Sequence, residues 1–279
     1  MSLELYNDTC RRCSRLITTR YSTSFSLGIR SLHSSLRESV YSIYGFVRVA
    51  DEIVDTFHEH DKAALFKSFE DDTWKAIGDG ISTNPVLQSF QLVVNRYRID
   101  HDLVRAFLRS MEMDLTMSGY DDGQYNEYIY GSAEVVGLMC LNVFCDGDES
   151  RYSELLPYAR RLGAAFQKIN FLRDIKSDFH DRGRVYFPGV DFSDFTAEVK
   201  VNIERDIAED FSVALQGIRI LDRRSRFGVY LAFRYYVALF DKIKRASPAE
   251  VLEKRFRISN VRKATLLVCV WLRKITGSI

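Results

Sequence analysis

An all-α fold built as one domain is what this sequence predicts, and three observations carry that prediction. Apolar residues recur at spacings of three and four through most of the chain, as in Leu103, Phe107, Leu108 and Met111 and again in Leu155, Leu162, Phe166 and Ile169. Strict apolar–polar alternation, the mark of a half-buried strand, is nearly absent. The four prolines, at 85, 157, 188 and 248, are each expected where one helical pattern stops or another starts, because proline lacks the N–H that a helix interior uses. With 279 residues, 46% of them hydrophobic, the chain can enclose one large core. No Pro/Gly/Ser linker or fixed-period repeat divides it, so residues 1–279 read as a single domain.

The totals also exclude. Lys and Arg number 39 against 38 Asp and Glu, without the basic excess of a nucleic-acid binder. Five cysteines, an odd number spread from Cys10 to Cys269, form no disulfide framework, so a reducing cytosol is the expected compartment. Cys10 and Cys13 have redox or half-zinc spacing, but no second pair follows and no strand precedes them; they read as two helical cysteines.

From the N-terminus, MSLELYNDTC carries an acidic residue and no apolar run, unlike a signal peptide. Tyr21–Arg30 (YSTSFSLGIR) is rich in hydroxyls and reads as a loop. Asp51-Glu-Ile-Val-Asp55 then places two aspartates at i and i+4, stacked on one helix face. About one such pair arises by chance in a chain this long. Asp206 and Asp210 supply that chance case, since Glu204, Arg205 and Glu209 surround them as on an ordinary solvated helix. Asp51 and Asp55 differ in their setting. Tyr44, Arg48, Asp51 and Asp55 fall within an arc of about 60° at ~100° per residue, on a helix whose Ile43, Phe46, Val47, Val49, Ile53 and Val54 are apolar. A plain Arg48–Asp51 pair on a partly exposed face is the competing reading. His58 and His60 follow this helix in a setting without apolar neighbours and read as surface residues.

A second stripe lies in Gln167-Lys-Ile-Asn170-Phe-Leu-Arg173-Asp174-Ile-Lys-Ser-Asp178, where Asn170, Asp174 and Asp178 step by four inside another apolar helix. Two aspartate stripes on mostly buried helices are costly as bare charge. A hard divalent cation removes that cost, and Mg2+ bridging carboxylates to substrate phosphates is the usual arrangement, with Mn2+ able to take its place. Beyond it, Phe179–Asp194 (FHDRGRVYFPGVDFSD) holds Gly183, Pro188 and Gly189 and reads as a loop.

Five segments in this order, YSTSFSLG, YGFVRVADEIVD, YIYGSAEVVGLM, AFQKINFLRDIKSD and RGRVYFP, resemble the phytoene and squalene synthase family over nearly the whole chain. The resemblance implies an all-α, single-domain isoprenoid-synthase helical bundle with a central cavity and acidic helices facing each other across its mouth. It makes Asp51 and Asp55 ligands of magnesium on one diphosphate, and Asn170, Asp174 and Asp178 the second metal-binding group. It places Ser22 and Ser24 near a diphosphate and Phe25 beside the reacting carbons. Tyr44, Arg48, Tyr128, Gln167, Arg173, Tyr236 and Arg255 match positions around the diphosphates, with Arg257 the alternative to Arg255. One departure is Ala133-Glu134, where the family usually has Ala-Gly.

The implied activity is head-to-head joining of two prenyl diphosphates. RGRVYFP resembles the phytoene branch, which uses geranylgeranyl diphosphate, more than the C30 branch, which uses farnesyl diphosphate. A catalytically silent relative acting as an assembly factor is disfavoured because every acidic ligand position is filled. Near the C-terminus, Arg255, Arg257, Arg262, Lys263, Arg273 and Lys274 flank an apolar helix whose longest uninterrupted apolar run, Leu266 to Leu272, is short of the ~20 residues of a spanning helix. The pattern fits a helix lying on a membrane surface and fits equally a core helix with solvated ends. Oligomeric state is left open.

Overall fold

The computed structural model describes residues 2–181, 183–190 and 192–276, the side chains of residues 180, 181 and 193 excepted. Arg182, which opens the RGRVYFP segment, and Asp191, in the loop that follows, lie outside the described residues. Among the described residues there is no β-strand, only one isolated bridge between Gly119 and Val185.

Short polar side chains start the helices. Ser2 caps α1 (Leu3–Tyr21) by accepting from the Leu5 N–H. Ser22 then turns extended and caps α2 (Thr23–Arg30), its Oγ accepting from the Phe25 N–H at 3.2 Å. The 21–30 segment, expected as a loop, is therefore mostly helix. Its hydroxyls favour caps, and the one at Ser22 both ends a helix and begins the next. α3 (Ser34–Thr56) runs through the centre, with Ile43, Phe46, Ala50 and Val54 fully buried. Asp61, Asn84 (with Pro85 in the first turn) and Asp100 cap α4 (Lys62–Asp79), α5 (Pro85–Tyr97) and α6 (His101–Thr116).

A capping box between Asp121 and Gln124 opens α7 (Asp122–Ile129), which continues through one π-helical turn, Tyr130–Glu134, into α8 (Val135–Cys145). By length and composition Asp122–Cys145 is apolar enough to cross a membrane, but it packs against α3, α6 and the long α9 (Glu149–Lys176), as a core helix does. Glycine permits that packing: a Cβ at Gly163 on α9 would lie 2.7 Å from the Ala133 carbonyl and 2.8 Å from Glu134 Cα.

Pro157 sits inside α9 rather than at an end, contrary to expectation. It lies on an exposed side of the helix, where water can serve the carbonyl that proline leaves without a donor. A second π-turn, Ser177–Asp181, leads into the expected loop, which holds a short 3₁₀ turn at Phe192–Asp194. The chain closes with α10 (Ala197–Ile220), α11 (Arg223–Lys244), α12 (Pro248–Glu253) and α13 (Asn260–Ile275).

Asp210 on α10 also corrects the sequence reading. It is not on a solvated face but fully buried, paired with Arg161 at 2.8 Å and Lys168 at 2.7 Å, both from α9. Lys168 reaches the half-exposed Asp206 as well. The neighbouring charges gave the wrong setting because the opposing cations come from another helix, more than forty residues away in sequence. Cys10 and Cys13 lie on α1, and His58 and His60 are exposed, as expected.

Candidate active site

The helices enclose a cavity of about 1040 Å³. From the α1–α2 junction come Ser22, Ser24 and Phe25; from α3, Tyr44, Arg48, Asp51 and Asp55; from α7, Tyr128. From α9 and the turn after it come Gln167, Asn170, Arg173, Asp174 and Asp178, with Tyr236 from α11 and Arg255 from the segment after α12. Both aspartate stripes and every residue singled out with them thus line one cavity. Much of the rest of its wall is apolar, with Val136, Cys140, Phe144, Leu162 and Ile218.

Asp51, Asp55, Asp114 and Asp174 at the polar end each have an arginine partner. Asp51 pairs with Arg48 at 2.6 Å, the pairing raised as the plain reading, and Arg48 also holds Glu52. The Arg48 guanidinium lies 4.4 Å above the Tyr21 ring, whose hydroxyl donates to Glu52. Asp174 pairs with Arg173 and, at 2.7 Å, with Arg255 Nε. That contact distinguishes Arg255 from Arg257, although both reach the cavity wall. Asn170 accepts from the Tyr236 hydroxyl at 3.1 Å and donates to Gln167 at 3.2 Å.

Arg184, Asp114 and Tyr186 belong to this site and were not singled out from sequence. Arg184 Nη1 donates to Asp55 at 2.8 Å, its Nη2 to the Asp114 carbonyl at 2.8 Å, and its backbone N–H to the Asp178 carbonyl at 2.8 Å. One residue of the RGRVYFP loop therefore touches both stripes. Burial alone lowers the Arg184 pKa, but Asp114, Tyr186 and Asp55 outweigh it and raise it, so the guanidinium stays charged. Asp114, nearly enclosed, accepts from the hydroxyls of Tyr128 at 2.6 Å, Tyr186 at 3.0 Å and Tyr120 at 3.3 Å. Burial pushes its carboxyl up to about 6, against the pull of Arg184 and Tyr128. Arg184 and Tyr186 had a signal, since they lie in a segment that carried the family resemblance. Asp114 had none: it is one acidic residue on an amphipathic helix, and only the fold brings three tyrosines to it.

Aromatic rings fill the space between the stripes. Phe25 lies 5.5 Å from Tyr44 and 5.9 Å from Tyr236, and Phe166 stacks on Tyr236 at 3.8 Å. Burial pushes the Tyr44 phenol up to about 12, so the ring is neutral and offers a π face. Phe166, one of the apolar residues at helical spacing, is half-buried and lines the cavity. Glu134 does not line the cavity. Mostly buried, it pairs with Arg160, whose guanidinium lies 5.1 Å over Tyr130, an ion pair that holds the π-turn to α9.

The donors along the stripes are all hard oxygens, which suit Mg2+ and not a thiol- or imidazole-preferring metal. Among the described residues no three His, Cys, Asp or Glu side chains form a ready-made cage.

The structure is an α-helical bundle around a half-apolar cavity lined by carboxylates, arginines and phenols. The chain belongs to the squalene/phytoene synthase family, whose model matches residues 18–262, and is a prenyltransferase-like enzyme. It is 27% identical to a phytoene synthase of Mycobacterium tuberculosis, over 95% of this chain and 91% of that one. To the 15-cis-phytoene synthase of a Synechocystis strain it is also 27% identical, over 98% and 86%. The identity to a 4,4′-diapophytoene synthase of Staphylococcus haemolyticus is 22%, over 87% and 90%. In fold it overlays a dehydrosqualene synthase with a TM-score of 0.83 at 20% identity, over 98% of both chains.

Proposed function

We propose that this chain is a Mg2+-dependent phytoene synthase of carotenoid biosynthesis, condensing two geranylgeranyl diphosphates head to head. The observation that carries the reading is that both aspartate stripes, each backed by arginine, line one cavity that also has a broad apolar wall. The relatives named phytoene synthase, aligned over nearly the whole chain, support the longer substrate.

Asp51 and Asp55 on one side, and Asn170, Asp174 and Asp178 on the other, are the residues to hold magnesium with the diphosphates. Bound there, the ion neutralises diphosphate charge and so helps it leave. Arg48, Arg173 and Arg255, paired with carboxylates in the free chain, offer guanidinium donors to the same oxygens. When the first allylic C–O bond breaks, the Phe25, Tyr44 and Tyr236 faces shelter the carbocation, at about 0.5–2 kcal/mol each. The cation attacks the double bond of the second substrate, and loss of one proton closes a cyclopropyl diphosphate. Breaking the second C–O bond, rearrangement and loss of a second proton give the 1–1′ linked product with a central double bond. The sequence consumes no reductant.

The test is incubation of the pure protein with Mg2+ and each prenyl diphosphate, followed by identification of the lipid product. Phytoene, formed equally with and without NADPH, is expected. Faster turnover of farnesyl than geranylgeranyl diphosphate would move the assignment to the C30 branch. No product from either would leave a silent family relative.

A further inference from the structure

Helix α13 is apolar on the side that faces water. At about 100° per residue, Trp271, Ala264, Ile275, Val268, Val261 and Leu272 follow one another within an arc of about 100°. They are exposed, with Val261 at 77%, Ile275 at 62% and Val268 at 55%. The helix meets the protein on its opposite side, where Leu266 and Val270 are buried. A surface helix of a water-soluble bundle carries polar residues outward; here both faces are apolar and the cations occupy the two flanks. Arg262 and Arg273 form one flank, Lys263 and Lys274 the other. Two of these are drawn back toward α11: Arg273 donates to the Tyr230 hydroxyl at 2.9 Å, and the Lys274 ammonium lies 4.9 Å over Phe227.

Charge identifies the occupant of this face. From Lys254 to Ile275 there are seven Lys and Arg and no Asp or Glu. A second concavity, of about 780 Å³, opens where α13 begins and is lined by Lys242, Arg245, Arg257 and Arg262 with Asp241 the one acidic member. A second copy of the chain docked face to face would set cationic flank against cationic flank, which repels. An anionic bilayer accepts all of it, apolar residues entering the acyl boundary and flanking cations meeting phosphate.

We propose that α13 docks this protein on an anionic lipid surface, lying in the plane of the interface with its outward apolar face immersed. Ile258, Asn260 and Lys263, at the start of the helix, also line the central cavity, so docking brings the cavity wall to the membrane. The docking does not depend on which prenyl diphosphate the cavity takes.

The chain has two tryptophans, and Trp74→Phe leaves Trp271 as the sole reporter. The full-length protein, without substrate, is mixed with vesicles of phosphatidylcholine alone or of phosphatidylcholine and phosphatidylglycerol in equal parts, then sedimented. Co-sedimentation with anionic vesicles and a blue shift of Trp271 emission are expected. Val268→Asp with Leu272→Asp places charge on exposed positions of the face, so melting temperature and turnover of detergent-dispersed substrate stay unchanged while vesicle partition falls by about tenfold or more. Arg262→Gln with Arg273→Gln lowers binding to anionic vesicles by about fivefold per charge. The proposal is overturned if neither vesicle binds, if neutral and anionic vesicles bind equally, or if Val268→Asp/Leu272→Asp binds as the parent does. It is also overturned if light scattering shows a lipid-free dimer that Val268→Asp/Leu272→Asp splits, because the face would then belong to a second copy.

Discussion

Arg184→Gln is the perturbation that most directly tests how the site is held together. The guanidinium is 7% exposed and bonds Asp55 at 2.8 Å, the Asp114 carbonyl at 2.8 Å and, less closely, the Asp114 carboxylate at 3.6 Å. Glutamine removes the charge and leaves two carboxylates in a poorly solvated place. Breaking a buried pair in this way costs about 3–5 kcal/mol. For a domain of this size that is a fall in melting temperature of about 6–20 °C. The loss depends on pH, and Asp114 sets its sign. Its carboxyl titrates near 6 in the fold against 3.8 in the unfolded chain, so between those values the folded state holds more protons and stability falls as pH rises. Arg184 pulls the Asp114 pKa down; without it the upper edge of that window moves higher and the fall continues toward neutrality. The variant therefore loses less at about pH 5, where Asp114 is protonated, than at about pH 8, where it must ionise without its partner. Thermal melts of parent, Arg184→Gln, Asp114→Asn and the double variant at both pH values form the assay. The double variant should recover about 1 kcal/mol or more relative to the sum of the singles at about pH 8. Equal losses at both pH values together with strict additivity would refute the claim that Arg184 is there to hold buried charge.

The remaining expectations concern single side chains. Asp51→Asn and Asp174→Asn should each lower turnover by at least about a hundredfold with melting temperature nearly unchanged, read by product assay and calorimetry. Asp206→Asn, at a half-exposed position, should keep parental turnover and lose less than about 1 kcal/mol, whereas Asp210→Asn should lose about 3–5 kcal/mol because it leaves Lys168 and Arg161 short of a buried partner. Glu134→Gln should cost about 0.5–1 kcal/mol and leave the rate and its Mg2+ dependence unchanged, measured as initial velocities across Mg2+ concentration. A large loss of rate in Glu134→Gln without loss of stability would give that carboxylate a part in the chemistry.

The helices were legible in the sequence because their signals are local. Caps such as Asn84 before Pro85, and Ser247 three residues before Glu250, lie within one turn of what they stabilise. The two aspartate stripes were legible for the same reason, since a four-residue step and its apolar surroundings sit on a single helix. That the stripes line one cavity was implied by the family resemblance and is set by how α3 and α9 each pack on α8. Pro157 escaped the local reading because its tolerance depends on which side of α9 meets water.

The sequence by itself determined the elements and the residue types that can carry the chemistry, because periodicity and capping are properties of neighbours along the chain. Only the tertiary structure decided which charges face each other. Asp210 and Asp55 each have a neighbour four residues away that shares their spacing, yet one is locked to Arg161 and Lys168 of α9 and the other to Arg184 of a distant loop. The energy of a buried charge is set by partners within a few ångströms in space. Asp114 shows the limit most plainly. Nothing within a turn of it marks it out. Burial raises its pKa while Arg184, Tyr128 and Tyr186 pull it down, and both the burial and these partners exist only once α6, α7 and the loop after α9 have packed together.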